Sequence, residues 1–135
     1  MDIPSADSAA FNRLLEIIAK LRGPSGCPWD QRQTPQSIKK YLLEEANELA
    51  EAIDQGDASH ICEEIGDLFY ILTMLTAMAD EAGRFTCADA LQAICSKMIR
   101  RHPHVFGDQP TGSDEELRRQ WEAIKAAEQQ DPSSP

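Results

Sequence analysis

The chain has 135 residues, 41% hydrophobic, 27% charged and only 6% aromatic, with a formal net charge of −10. That length predicts one domain with its own core. The acidic excess excludes a sequence-independent grip on a nucleic-acid polymer, which needs clustered Lys and Arg. The thin aromatic content favours helices over a sandwich or barrel.

Cys27, Cys62, Cys87 and Cys95 show no C-x-x-C spacing, and no signal-peptide pattern opens the sequence. Four reduced, mostly buried thiols in a cytoplasmic protein are therefore expected. The longest apolar stretch, residues 68–79, contains two threonines and falls short of the roughly 18 residues that a membrane span needs. No membrane crossing is predicted.

In chain order, Phe11, Leu14, Leu15, Ile18 and Leu21 recur at helical steps and mark a first amphipathic helix ending near Arg22, stopped by Gly23. The segment from Gly23 to Thr34 carries two Gly and two Pro and reads as a shaped loop. Thr34 before Pro35 is an N-cap with proline at the first helical position, opening a second helix to about Asp54, where Gly56 turns the chain. A third helix is expected from about Ser59 to Ala82, apolar on nearly all sides and closed by Gly83. Thr86 with Asp89, and Ser113 with Glu116, resemble capping boxes for a fourth helix to about Arg101 and a fifth to about Ala127. A loop spans 102–112. The expectation is thus an all-α bundle of about five helices over residues 8–127, followed by a disordered polar tail, 128–135.

On a helical wheel of the second helix, Glu45 falls inside the apolar arc of Ile38, Leu42, Leu49, Ala52 and Ile53; Glu48 lies on its rim. Glu44 and Glu51 lie on the polar side. On the third helix Glu64 and Asp67 occupy the stripe that Ile71, Met74 and Met78 continue. Acids on a Glu-rich helix are commonly a solvated face. Core-facing acids are different, because a buried carboxylate without a partner costs several kcal/mol and must be protonated, paired or metal-bound. A short turn between the two helices lets them pack antiparallel and brings the four carboxylates together. An all-oxygen site of this kind suits a hard cation, above all Mg²⁺ shared with substrate phosphates, and suggests phosphoanhydride hydrolysis.

The pattern Glu44-Glu45-x-x-Glu48 followed by Glu64-x-x-Asp67 resembles the signature of the MazG family. So do Gly-Cys-Pro-Trp-Asp at 26–30, Tyr-Leu-Leu-Glu-Glu at 41–45, Glu-Ala-Gly-Arg-Phe at 81–85 and Arg-Arg-His-Pro-His-Val-Phe-Gly-Asp at 100–108. The resemblance covers about residues 11–127. It implies an α-helical pyrophosphohydrolase that converts a nucleoside triphosphate to monophosphate and pyrophosphate, either as a general nucleotide-pool house-cleaning enzyme or narrowed to one nucleotide. It also implies assembly at least as a homodimer whose second subunit completes the bundle. The implied metal ligands are Glu45, Glu48, Glu64 and Asp67, holding Mg²⁺ or, in substitution, Mn²⁺. Glu44 falls on the doubled glutamate, and Glu44 or Glu45 is the candidate to orient the attacking water. Larger family members carry two such domains in tandem, whereas this chain has one, which leaves the physiological substrate open.

Lys97 and Arg101 share a helix face, with Arg100 beside them, and form a candidate cationic edge for the triphosphate. Helix-dipole complementation accounts for the same charges about as well. Trp121 and Lys125 resemble the family's Trp-x-x-x-Lys near the nucleotide, although a helical tryptophan more often packs than stacks on a ligand. Trp29, in the glycine-proline loop, either covers the base or staples the loop to the core. His102 and His104 lack the further ligands of a transition-metal site. Two other readings stand beside the main one. The first is a dUTPase-like or phosphoribosyl-ATP pyrophosphohydrolase activity on the same cage; the second is a catalytically silent, metal-stabilised helical module.

Overall fold

The computed structural model describes residues 5–130, and every regular element among them is helical: α1 (Ser5–Arg22), α2 (Pro28–Arg32), α3 (Pro35–Gln55), α4 (Ala58–Glu81), α5 (Cys87–Arg101), α6 (Pro103–Phe106) and α7 (Asp114–Gln130). The all-α expectation is met. The five long helices lie where periodicity and caps put them. The two extra helices are single Pro-initiated turns inside the segments read as loops, too short to leave a periodic signal. Two compact units are present, Met1–Cys87 and Ala88–Pro135.

In the first unit α3 opens as the sequence predicts. Thr34 Oγ1 accepts from the Ser37 amide at 3.1 Å, and the Thr34 amide donates to Ser37 Oγ at 2.8 Å. This capping box, with proline at the first turn, pins the start of α3 to one residue. Its other end is fixed by Gly56, left-handed at φ 74°, whose amide donates to the carbonyls of Ala52 and Ile53. Asp57 then caps α4 by accepting from the Ser59 amide at 3.0 Å. A turn this short forces α3 and α4 into an antiparallel hairpin, the most extensive packing in the unit.

The core joins Ile18 of α1, Ile38 of α3 and Ile71, Met74 and Met78 of α4, with Leu14, Leu21, Tyr41, Leu42, Tyr70, Leu75 and Ala77 against it. Thr73, buried on α4, satisfies its hydroxyl by donating to the Phe69 carbonyl at 2.8 Å. Ile53, placed by the wheel within the apolar arc, is instead exposed near the end of α3, although its neighbour Ala52 is buried. Between α1 and α3, α2 is held by tertiary contacts. Arg22 Nη1 donates to the carbonyls of Asp30 at 2.6 Å and Gln33 at 3.2 Å, and the Cys27 amide donates to the Leu21 carbonyl at 2.9 Å. Gly26 is required here, since a β-carbon would sit 2.1 Å from that same carbonyl oxygen.

In the second unit Ser113 accepts from the Glu116 amide at 3.2 Å and caps α7. This helix corrects the expected tail: it continues through Gln130, so 128–130 are helical, because Glu128 is anchored to Arg100 and Arg101. Residues 131–135 of that tail lie outside the described residues. The cysteines need correction too. All four are free thiols as expected, but Cys62 and Cys95 are exposed and Cys27 and Cys87 half-buried. No helix among the described residues is long and apolar enough to cross a membrane.

Candidate metal centre

The α3–α4 hairpin places Glu45 and Glu48, one turn apart, opposite Glu64 and Asp67, also one turn apart. Each offers a carboxylate oxygen, and the four oxygens lie within 4.8 Å of one another. Depth varies across the cluster. Glu64 is buried, with 6% of its surface exposed, Glu45 and Asp67 are half-buried, and Glu48 sits at the exposed mouth. The wheel made Glu45 the most core-facing acid; in the hairpin Glu64 lies deeper, because α4 is enclosed from more sides than α3.

Four like charges this close, drawn out of water, resist ionisation. Burial above all, then the neighbouring charge of Glu48, pushes the Glu45 carboxyl up to about 7. Burial likewise raises Glu64 above the ordinary carboxylate range. Glu45 Oε2 and Glu64 Oε2 are both shielded from solvent, with no hydrogen-bond partner among the described residues. Such orphaned oxygens are costly unless something cationic meets them. The donor set is all oxygen and carries enough charge for a hard divalent cation, so these residues fit the Mg²⁺ site that the sequence predicts. Glu44, next to Glu45 in the chain, is exposed and is not among the four clustered carboxylates.

One neighbour escaped the sequence reading. His60, one turn before Glu64 on α4, brings Nε2 to 3.3 Å from Glu64 Oε1. Its four-residue spacing from Glu64 was the available signal.

The remaining candidates fall into place by unit. Trp29 keeps 38% of its surface exposed and packs edge-on against Tyr41 of α3, with ring centroids 5.7 Å apart. Its neighbour Asp30 is buried and accepts a hydrogen bond from the Tyr70 hydroxyl. Burial and that bond raise the Tyr70 pKa. In the second unit Arg101 is engaged. Its Nη2 lies 2.9 Å from Glu128 Oε2, and its guanidinium sits over the Trp121 ring at 5.0 Å. Trp121 also meets His102 edge-on at 5.4 Å, and His102 Nδ1 donates to the Met98 carbonyl at 2.6 Å. His104 Nδ1 lies 3.0 Å from Gln120 Nε2, which makes both histidines structural ties. Lys97 and Lys125 are half-buried and make no ion pair among the described residues.

A helical hairpin closing four acids into one oxygen-lined cluster defines an all-α protein with a carboxylate cage. The MazG nucleotide pyrophosphohydrolase domain matches residues 33–106, which contain the whole cage. The chain is 47% identical over 118 residues to the nucleoside triphosphate pyrophosphohydrolase/pyrophosphatase MazG of Thermotoga maritima, covering 87% of this chain and 45% of that protein. It is 45% identical over 118 residues to the uncharacterized protein YabN of Bacillus subtilis, covering 87% of this chain and 24% of that one. The crystal structure of a mazG-related protein from Thermotoga maritima superposes with a TM-score of 0.71 at 33% identity, covering 85% of this chain and 98% of that chain. The chain belongs to the MazG nucleotide pyrophosphohydrolase family. It spans less than half the length of the two relatives named.

Proposed function

We propose that this chain hydrolyses nucleoside triphosphates between the α and β phosphates, releasing nucleoside monophosphate and pyrophosphate. The observation that carries the reading is the convergence of Glu45, Glu48, Glu64 and Asp67 within 4.8 Å, with two buried oxygens lacking partners among the described residues. These four carboxylates would hold Mg²⁺, with Mn²⁺ able to substitute. When bound, the cation would neutralise phosphate charge and make a water more acidic. The cage's own part is to fix donor geometry, and Glu48 at the exposed mouth leaves a side open to phosphate oxygens. Glu44 and Glu45 are the proposed groups to orient the attacking water and take its proton.

Lys97, Arg101, Trp121, Lys125 and Trp29 are proposed substrate contacts on the strength of their match to family motifs. Assembly as a homodimer is supported by an apolar stripe on α4, where Ile65, Phe69 and Leu72 share one face and stay 41–48% exposed. A cytoplasmic location and a house-cleaning role belong to the same proposal.

The test is product identity with Mg²⁺ across a panel of standard and damaged nucleoside triphosphates, dUTP and phosphoribosyl-ATP. Monophosphate and pyrophosphate are expected. Diphosphate and orthophosphate would overturn the bond assignment, and inertness toward the whole panel with metal binding retained would favour the silent module.

A further inference from the structure

We infer that His60 is a positioning residue for the carboxylate cage: by engaging Glu64 Oε1 it commits Glu64 to binding the cation through Oε2 alone. The inference rests on the proposed metal reading and assigns a role to a residue outside the four acids. Three observations carry it. His60 Nε2 lies 3.3 Å from Glu64 Oε1, on the same face of α4. The other oxygen, Oε2, is shielded from solvent and has no hydrogen-bond partner among the described residues. The Glu64 side chain is only 8% exposed, whereas that of His60 is 37% exposed, so the imidazole stands at the solvent edge while the carboxylate points inward.

The two oxygens of Glu64 are therefore not equivalent. One has a nitrogen at contact distance and the other is buried without a hydrogen-bond partner among the described residues. A carboxylate turned by a second group in this way presents one ligand atom in a fixed direction, and outer partners of this kind typically affect metal affinity by about 10–100-fold. The geometry also bears on which ion is preferred. Mg²⁺ demands six ligands in near-ideal octahedral array, whereas Ca²⁺ accepts both oxygens of one carboxylate. Holding Oε1 away from the ion disfavours the two-oxygen mode, so His60 biases the site against Ca²⁺.

The test uses the whole chain with Mn²⁺ as a spectroscopic probe, read by electron paramagnetic resonance, and with Mg²⁺ and Ca²⁺ as competitors. His60→Ala should weaken Mn²⁺ binding about 10-fold and raise the affinity for Ca²⁺ relative to Mg²⁺. His60→Gln, whose amide also donates, should restore both toward wild type. Circular dichroism checks that each variant keeps its helices. Unchanged Mn²⁺ affinity and ion preference in folded His60→Ala would overturn the inference while leaving the cage intact. Equal weakening in His60→Ala and His60→Gln, with loss of nitrogen hyperfine coupling in both, would make His60 a direct ligand and overturn it also. Failure of the wild type to bind Mn²⁺ would remove the cage reading and this inference with it.

Discussion

Arg101 grips Glu128 across 27 residues of chain, with Nε at 3.2 Å from Oε1 and Nη2 at 2.9 Å from Oε2, while Arg100 Nε reaches the same Oε1 at 2.9 Å. One carboxylate thus gathers two arginines and ties the last turns of α7 to the end of α5. Those two hydrogen-bonding partners hold the Glu128 carboxyl down at about 2. A depressed acid stabilises the fold above its unfolded pKa and stops doing so as pH falls through the folded one. The α5–α7 tie should therefore persist at neutral pH and be lost between about pH 4.5 and 2. Trp121, under the Arg101 guanidinium, is the reporter. Its fluorescence should change in that window in wild type and not in Glu128→Gln; identical acid titrations in the two would refute the assignment.

Arg101 and Lys97 were read from sequence as one cationic edge, but they differ in the structure. Lys97→Ala should lower kcat/KM by about 10–100-fold if it supplies one charge-assisted phosphate contact of about 1.5–3 kcal/mol, with the melting temperature unchanged. Arg101→Ala should lower both kcat/KM and melting temperature, because it also removes one of the two arginine partners of the partly buried Glu128. Full activity in Lys97→Ala would remove that residue from the substrate site.

Arg22 is predicted to be the staple of α2. Its guanidinium donates to two carbonyls of that segment and pairs with Glu81 at 2.7 Å. Arg22→Met should cost about 2 kcal/mol, the scale of lost charge-assisted hydrogen bonds to backbone carbonyls. Hydrogen exchange should show faster opening of residues 28–33, and a denaturation midpoint equal to wild type would contradict the role.

These contacts also explain which features the sequence reveals. Thr34, Pro35 and Gly56 declare the ends of α3 because capping is local chemistry, and the acids of α3 and α4 declare the cage because a 3.6-residue period places them among apolar neighbours. The turn α2 leaves no such mark: it depends on Arg22 reaching carbonyls 8 and 11 residues later. Glu128 is equally opaque, sitting in a polar stretch that composition reads as tail, because its partners lie 27 and 28 residues earlier. His60 was visible in spacing but not in meaning, since only the fold shows which oxygen of Glu64 it faces.

The final prediction concerns the cage without its ion. Glu45 is pushed up to about 7, first by burial and then by the charge of Glu48. A folded-state pKa above the unfolded value means that the folded protein holds the proton more tightly, so this group favours folding below about pH 4.5 and that advantage is lost as pH rises through about 7. The metal-free protein should therefore lose stability between pH 5 and pH 8. Mg²⁺ should reverse the loss, since the assembled site exists only in the folded state and an ion replaces the proton as the compensating charge. Glu45→Gln nearly keeps the shape and removes the charge. Its melting temperature without metal should exceed that of wild type at pH 8 and match it near pH 5, where wild-type Glu45 is already protonated. The Mg²⁺-induced rise should shrink in the same variant, and hydrolysis should disappear. Thermal melts at the two pH values, with and without Mg²⁺, read the first three, and pyrophosphate release reads the fourth. If Glu45→Gln instead melted lower than wild type at pH 8 and kept its full response to Mg²⁺, Glu45 would be a structural hydrogen-bonding residue and not a ligand.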